Sequence, residues 1–394
     1  MKICIAPMLI GLLFISNAFG QDDRRVITTG VPFVLIAADA RSAGIGDIGV
    51  SSSPDAFSQQ WNPAKYAFAT KKQSIGITYT PYLSKLVNDI FLGNVTYYNR
   101  LNERSAIGAS FRYFSLGEIE SISIEQAQQG EFDPLILNPN ELTLDLSYAL
   151  KLSEQFSMAV AGRYLRSDLK LQVNDEDASA AGSFAVDIGG YYQSEEVGYT
   201  DFNGRWRLGF NISNLGPKLK YDDAGQENNL PTNLALGAGF DFILDEYNKI
   251  SVNTEFNKLL VPTPQDPDLN GDGEVTAEER NQNIEDYQNI SFFSGVFQSF
   301  GDAPDGFSEE IKEVTWALGA EYWYQDSFAF RTGYFNESDE KGGRKFLSLG
   351  AGFKYTSLGI DLSYLFSTSK VRSPLEGTLR FGLTFSFGDE YSEY

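Results

Sequence analysis

Toward its C-terminus the chain alternates strictly. Leu379, Phe381, Leu383, Phe385 and Phe387 are apolar, and the intervening Arg380, Gly382, Thr384 and Ser386 are polar or small. A period of two sends one side-chain set to each face of a strand. The pattern recurs from Ser74 onward. It predicts fourteen strands, at 74–80, 90–98, 105–116, 141–151, 156–167, 181–192, 205–212, 233–242, 249–257, 315–324, 328–334, 346–355, 359–366 and 377–387. Leu142, Leu144, Leu146, Tyr148 and Leu150 form one apolar ridge, with Asp145 and Lys151 opposite. Trp316, Leu318, Ala320, Tyr322 and Tyr324 form another, with Glu321 opposite. Asp187, Arg207, Asp241, Arg331, Lys354, Asp361 and Arg380 also fall on the polar face. Ionisable groups are costly in lipid but not in a wet or protein-filled lumen. The fold class is therefore all-β, a 14-stranded antiparallel transmembrane β-barrel with lipid outside.

The connections support this. Short ones (100–104, 152–155, 245–248, 325–327, 356–358) alternate with long ones (117–140, 168–180, 216–232, 258–314, 337–345, 367–376), and 193–204 is intermediate. Bacterial outer-membrane barrels have short periplasmic turns and long extracellular loops. That assignment puts both termini on the periplasmic side. Tyr97, Tyr148, Tyr324 and Tyr355, near strand ends, suit an interfacial girdle.

Residues 1–20 read as a secretory signal peptide. Lys2 is the basic region, 8–15 the short apolar core, and Ala18 and Gly20 are the small cleavage-site residues. The barrel occupies 74–388, and 389–394 form a C-terminal tail. Residues 21–73 do not alternate. They carry Gly44-Ile45-Gly46-Asp47-Ile48-Gly49, a polar run at 51–55 and a possible short helix at 56–60. The glycines lack the βαβ context of a dinucleotide loop. A compact N-terminal hatch, or plug, inside the lumen accounts for them better, because a barrel this wide otherwise leaves a channel.

Composition narrows the function. The formal charge is -22, and loss of the single charge of Lys2 makes it -23. Nucleic acid is not expected as a partner, since phosphate binding needs a basic surface. There are 0 histidines, and the one cysteine, Cys4, lies in the signal region. His-dependent hydrolysis, His-ligated metals, disulfides and thiol chemistry are thereby excluded from the mature chain.

One loop has a sharp chemical signature. Residues 268–279 match the twelve-residue EF-hand calcium pattern. Asp268, Asn270 and Asp272 offer side-chain oxygens, Gly273 the tight turn, Glu274 its carbonyl, Thr276 the ninth position and Glu279 a bidentate carboxylate. Val275 is the apolar packing position. A helix capped by Thr276, with Glu279 at its third position, is expected to follow. The expectation is one structural Ca²⁺ ordering the long extracellular loop 258–314, without a paired second hand.

The segment 31–68, VPFVLIAADARSAGIGDIGVSSSPDAFSQQWNPAKYAF, resembles the N-terminal signature of the PorV family, with 54–68 its most specific part. That family serves type IX secretion and is similar to FadL-like barrels of fourteen strands with a luminal hatch. The resemblance covers the mature chain. It implies a protein that is not an enzyme and that sits in the outer membrane, amid outer-membrane lipids. Its implied partners are the large type IX translocon barrel, the C-terminal domains of secreted cargo and the cell-surface attachment complex proteins. The resemblance assigns no cargo-binding residue. The alternatives are a FadL-like transporter of hydrophobic solutes, an enzyme acting on lipopolysaccharide and a passive porin.

Overall fold

The computed structural model describes residues 25–121, 134–169, 180–221, 227–370 and 372–391. The signal segment, Cys4, the acidic run 174–177 and residues 392–394 lie outside the described residues. Fourteen strands close into a barrel: β1 (Lys71–Pro81), β2 (Ile90–Arg100), β3 (Ser105–Leu116), β4 (Asn140–Lys151), β5 (Phe156–Asp168), β6 (Ala181–Gln193), β7 (Asn203–Leu215), β8 (Asn233–Ile243), β9 (Asn248–Leu259), β10 (Thr315–Tyr324), β11 (Phe328–Asn336), β12 (Lys345–Tyr355), β13 (Leu358–Ser367) and β14 (Leu379–Glu390). Each pairs antiparallel with its sequence neighbours. The seam closes with Ile75 opposite Phe385 and Tyr79 opposite Phe381.

Several strands outrun the alternating stretch. The reason is that pairing continues past the apolar band: β1 starts at Lys71, whose ammonium pairs with Glu390. The expected tail thus begins inside β14. Two additions carried no period-two signal. Ile119–Ser121 pairs with Leu135–Leu137 in a long connection, and Val197–Gly198 adds to β7. Both are too short to alternate.

The faces follow the sequence. Leu144, Leu146, Tyr148, Leu318 and Phe381 point outward and are exposed, whereas Asp145, Asp187, Arg207, Asp241, Glu321, Arg331 and Arg380 are buried in the lumen. Lys354 lies at the lumen's short-turn mouth. Tyr148, Tyr324 and Tyr355 are exposed near the short-turn end. No helix among the described residues is long and apolar enough to cross a membrane.

The N-terminal segment fills the lumen. It comprises a 3₁₀ turn (Pro32–Leu35), α1 (Ala40–Gly44), α2 (Ser58–Trp61) and a second 3₁₀ turn (Pro63–Phe68). The helix expected at 56–60 starts later, because Asp55 Oδ1 accepts from Phe57 N and Ser58 Oγ in a local turn. Three apolar clusters seat the plug. Val31, Phe33 and Val34 meet Leu92, Phe114 and Leu165. Ile45 and Ile48 meet Phe335, Phe346 and Leu365. Tyr66, Ala67 and Phe68 meet Tyr98, Ala149 and Tyr191.

The path of this segment corrects one expectation. The first strand begins at the short-turn end, as does the last strand's finish. Arg25, however, pairs with Asp305 and Glu309, and Gly30 N donates to Asn229 O. Those partners belong to long connections. Residues 25–70 therefore traverse the lumen, and the two ends of the described chain lie at opposite mouths.

The glycine run serves close packing. Gly46 adopts φ 88°, and the Ile45 backbone presses on the wall at Gly319 and Gly333. A Cβ built on Gly333 would lie 2.0 Å from the Ile45 carbonyl carbon. Gly333→Val should therefore displace the plug while the barrel persists. Heat-modifiable gel migration would be retained, and new protease cuts would appear between 25 and 70. Full protection of that segment would show the close approach to be dispensable.

Candidate functional site

Two places concentrate chemistry: the layer where plug meets wall, and the 260–314 connection. In the first, Arg41 of α1 donates to Glu321 at 3.0 and 2.9 Å and to Asp55 at 2.8 Å. Arg331 donates to the same Glu321 and to Asp361 at 2.7 Å. Arg163 joins Asp145 and Asp187, Arg207 meets Asp241 at 2.6 Å, and Arg380 reaches Asp47 at 3.3 Å. Removing one partner of a buried pair strands the other, at a cost of about 3–5 kcal/mol.

The residues of the 54–68 segment knit the plug. Asn62 Nδ2 donates to Val50 O at 3.1 Å and to Gly190 O of β6 at 2.9 Å, while its Oδ1 accepts from Ala64 N. Tyr66 OH donates to Ala56 O and accepts from Gln59 N. Lys65 Nζ donates to Gly49 O and Ser52 Oγ. Glu255 of β9 accepts from Gly49 N and Val50 N. Asp39 accepts from Ser42 N and Trp61 Nε1.

The second place is the connection between β9 and β10. It contains α3 (Ala277–Asn289), α4 (Phe292–Gln298) and α5 (Phe307–Lys312). Buried lysines brace it. Lys258 donates to Glu310 at 3.0 Å and Glu313 at 2.7 Å, and Lys341 to Glu309 at 2.6 Å and Glu313 at 2.9 Å. Arg25 adds a bond to Glu309 at 3.0 Å. The brace holds up an apolar surface. Phe293 and Phe297 of α4, and Phe307 and Ile311 of α5, are each spaced i and i+4, so each pair lies along one helical face, and Phe300 follows in the turn after α4. Phe293, Phe297 and Phe307 are 73%, 76% and 79% exposed. These aromatics were missed in the sequence, although their spacing within an acidic stretch is the signal for them.

The EF-hand-like positions lie on the exposed side of the same connection. Thr276 and Glu279 form the expected capping box, and the helix runs Ala277–Asn289. Asp268 accepts from Gly271 N and Gly273 N, Asn270 from Asp272 N, and Asp272 from Glu274 N. Glu279 Oε1 is buried without a hydrogen-bond partner. Val275 is exposed, as there is no second hand to pack against. Among the described residues no three His, Cys, Asp or Glu side chains gather in a metal-holding group. The donor chemistry suits Ca²⁺, but Asp268, Asp272 and Glu279 are strung along the loop, not closed around one point.

A closed fourteen-strand barrel with an apolar outer face, a charged lumen and a plug across it defines an integral β-barrel of the bacterial outer membrane. A family model described as "Type IX secretion system protein PorV" matches residues 19–266, and the chain belongs to that family. Among solved structures it is similar to the CymD monoaromatic hydrocarbon channel (13% identity, 91% of this chain and 99% of that one, TM-score 0.46). It is also similar to a Pseudomonas aeruginosa FadL homologue (12%, 92% and 99%, TM-score 0.46). A third is the Pseudomonas putida toluene transporter TodX (11%, 88% and 96%, TM-score 0.47). At these values none bears on what the chain does. No curated protein matches it.

The brace has a defined pH window. Burial opposes ionisation of Glu309, but hydrogen bonds from Arg25 and Lys341 outweigh it and bring the carboxyl down from 4.5 to about 2. Glu313 is lowered in the same way, by Lys258, Thr263 and Lys341. Their stabilisation is complete above the ordinary value and disappears as pH falls toward 2. Protease resistance of the 260–314 connection should hold at pH 5 and fail only near pH 2–3. Lys341→Met should make it cleavable at neutral pH, with a local loss of about 3 kcal/mol. Unchanged resistance in that variant would rule out the brace.

Proposed function

We propose that the protein is a non-enzymatic component of type IX secretion. It binds the large translocon barrel, receives cargo by its C-terminal domain and hands it to the cell-surface attachment complex. The long connections face the cell exterior and the short turns the periplasm. One observation carries this reading: a rigidly braced aromatic surface stands outside a lumen that is blocked. A path for apolar solutes would have to cross the layer formed by Arg41, Glu321, Arg331 and Asp361. Contact at the loops needs no such path. Exposed aromatics of this kind mark protein interaction sites. The 258–314 stretch has thirteen Asp and Glu against three Lys and Arg, which favours a partner whose apolar groove has a basic rim.

Affinity capture from detergent extracts, read by mass spectrometry, should recover a much larger barrel protein together with secreted substrates. Phe297→Asp with Phe293→Asp should reduce that recovery about tenfold or more without changing barrel migration. Capture that is unaffected by the double variant would move the contact elsewhere, and absence of both partners from the wild-type capture would end the shuttle reading.

A structural Ca²⁺ in 268–279 is a second proposal, favoured by the unpartnered, buried Glu279 Oε1. Oxygen donors from Asp268, Asn270, Asp272, the Glu274 carbonyl, Thr276 and Glu279 would close around one ion and relieve repulsion among the carboxylates. Calorimetric titration of the intact protein should show one site that Glu279→Gln weakens at least tenfold. No heat on Ca²⁺ addition to the wild type would end this idea.

A further inference from the structure

The short-turn mouth has a cavity of about 310 Å³ between plug and wall that none of the foregoing uses. Its floor is the Arg41 and Arg331 layer, and its rim has three lysines on separate strands, Lys71, Lys249 and Lys354. Trp323, Phe68 and Tyr98 contribute aromatic wall. A protein with so many surplus carboxylates has gathered five cations around one opening.

The floor is saturated with charge but not with hydrogen bonds. Glu321, Asp55 and Asp361 more than neutralise the two guanidiniums. Yet Nη2 of Arg331, a residue 3% exposed, is buried without an acceptor. The rim differs. Lys71 pairs with Glu390 and Lys249 with Asp326 at 3.6 Å, through carboxylates that are 71% and 78% exposed. Exposed pairs are worth roughly 0–1 kcal/mol and exchange readily. Lys354 forms no ion pair among the described residues. Three ammonium groups that are free, or cheaply freed, around one opening make an acceptor-seeking site.

We propose that this mouth binds a phosphate group, free or as a small ester, presented from the short-turn side. Phosphate suits the arrangement better than a carboxylate. It has two negative charges and three or more acceptor oxygens for three separate ammonium groups. The phosphate sits at the lysine ring, away from Asp55 and Asp361, with an ester's carbon portion against the aromatic wall. Bound there, it ties the wall strands β1, β9 and β12 to the base of the plug. Native-state binding raises thermal stability by mass action.

The test titrates the full-length protein in a non-ionic detergent with inorganic phosphate, glycerol 3-phosphate and glycerol, read by calorimetry and thermal unfolding. Saturable binding of at least one phosphate compound, a raised Tm with it and no response to glycerol are expected. Tighter binding of the ester would identify a headgroup-like source, and equal or tighter binding of inorganic phosphate a free one. Lys354→Gln should weaken binding about tenfold, Lys354→Arg should retain it, and added salt should weaken both. If Lys354→Gln does not fold, as judged by barrel migration, Lys249→Gln serves in its place. The proposal is overturned if neither phosphate compound binds, or if the folded glutamine variant binds as wild type does.

Discussion

A wall of fourteen strands encloses more space than its own side chains can fill, and here that wall is lined with charge. This constraint governs the rest of the molecule. Outside, alternate positions must be apolar because lipid offers nothing else. Inside, Asp145, Arg163, Asp187, Arg207, Asp241, Glu321, Arg331 and Arg380 are buried and need partners. Some find them on neighbouring strands, as Arg207 does in Asp241. Others gain a partner from the plug, as Glu321, already bonded to Arg331, does in Arg41 and as Arg380 does in Asp47. The plug can come close enough because the wall is glycine where the Ile45 and Val50 backbones touch it, at Gly209, Gly319 and Gly333.

With the lumen filled, the long connections offer the exposed chemistry. The longest connection is strongly acidic and would repel itself if left unpaired. Lys258, Lys341 and Arg25 prevent this, and they come from a strand end, a different connection and the N-terminal segment. Burial makes these pairs firm and holds α5 in place, while α4 packs through Gly295 against Pro262. The same N-terminal segment that fills the barrel thus ends by fastening the loop above it.

The barrel was legible in the sequence because period two is a local signal, repeated wherever lipid lies on one side. Strand ends were less so, since pairing such as Lys71 opposite Glu390 continues where alternation has stopped. The plug was visible only as a segment that failed to alternate. Its course could not be read, because it is decided by contacts such as Arg25 with Glu309, 284 residues apart. For the same reason no local signal marks Lys258 and Lys341 as bracing residues. The twelve residues at 268–279 show the opposite case. Their donor chemistry and capping box are local and legible, whereas closure around an ion is a property of the folded loop that spacing alone does not decide.

The way the plug is held limits how the protein can work. In a water-soluble core, a segment is retained chiefly by burial of apolar surface. Here much of the retention is polar: Arg41 on Glu321 and Asp55, Asn62 on Gly190 O, and Gly49 and Val50 on Glu255. Withdrawing the plug would strand these groups together. At about 3–5 kcal/mol for each broken buried pair, two or three are comparable to the net stability of a typical domain, about 5–15 kcal/mol. Opening the lumen would therefore cost a large share of the stability of the fold. On the reading proposed above, partners are gained and lost at the long connections, with the plugged barrel acting as a base in the membrane.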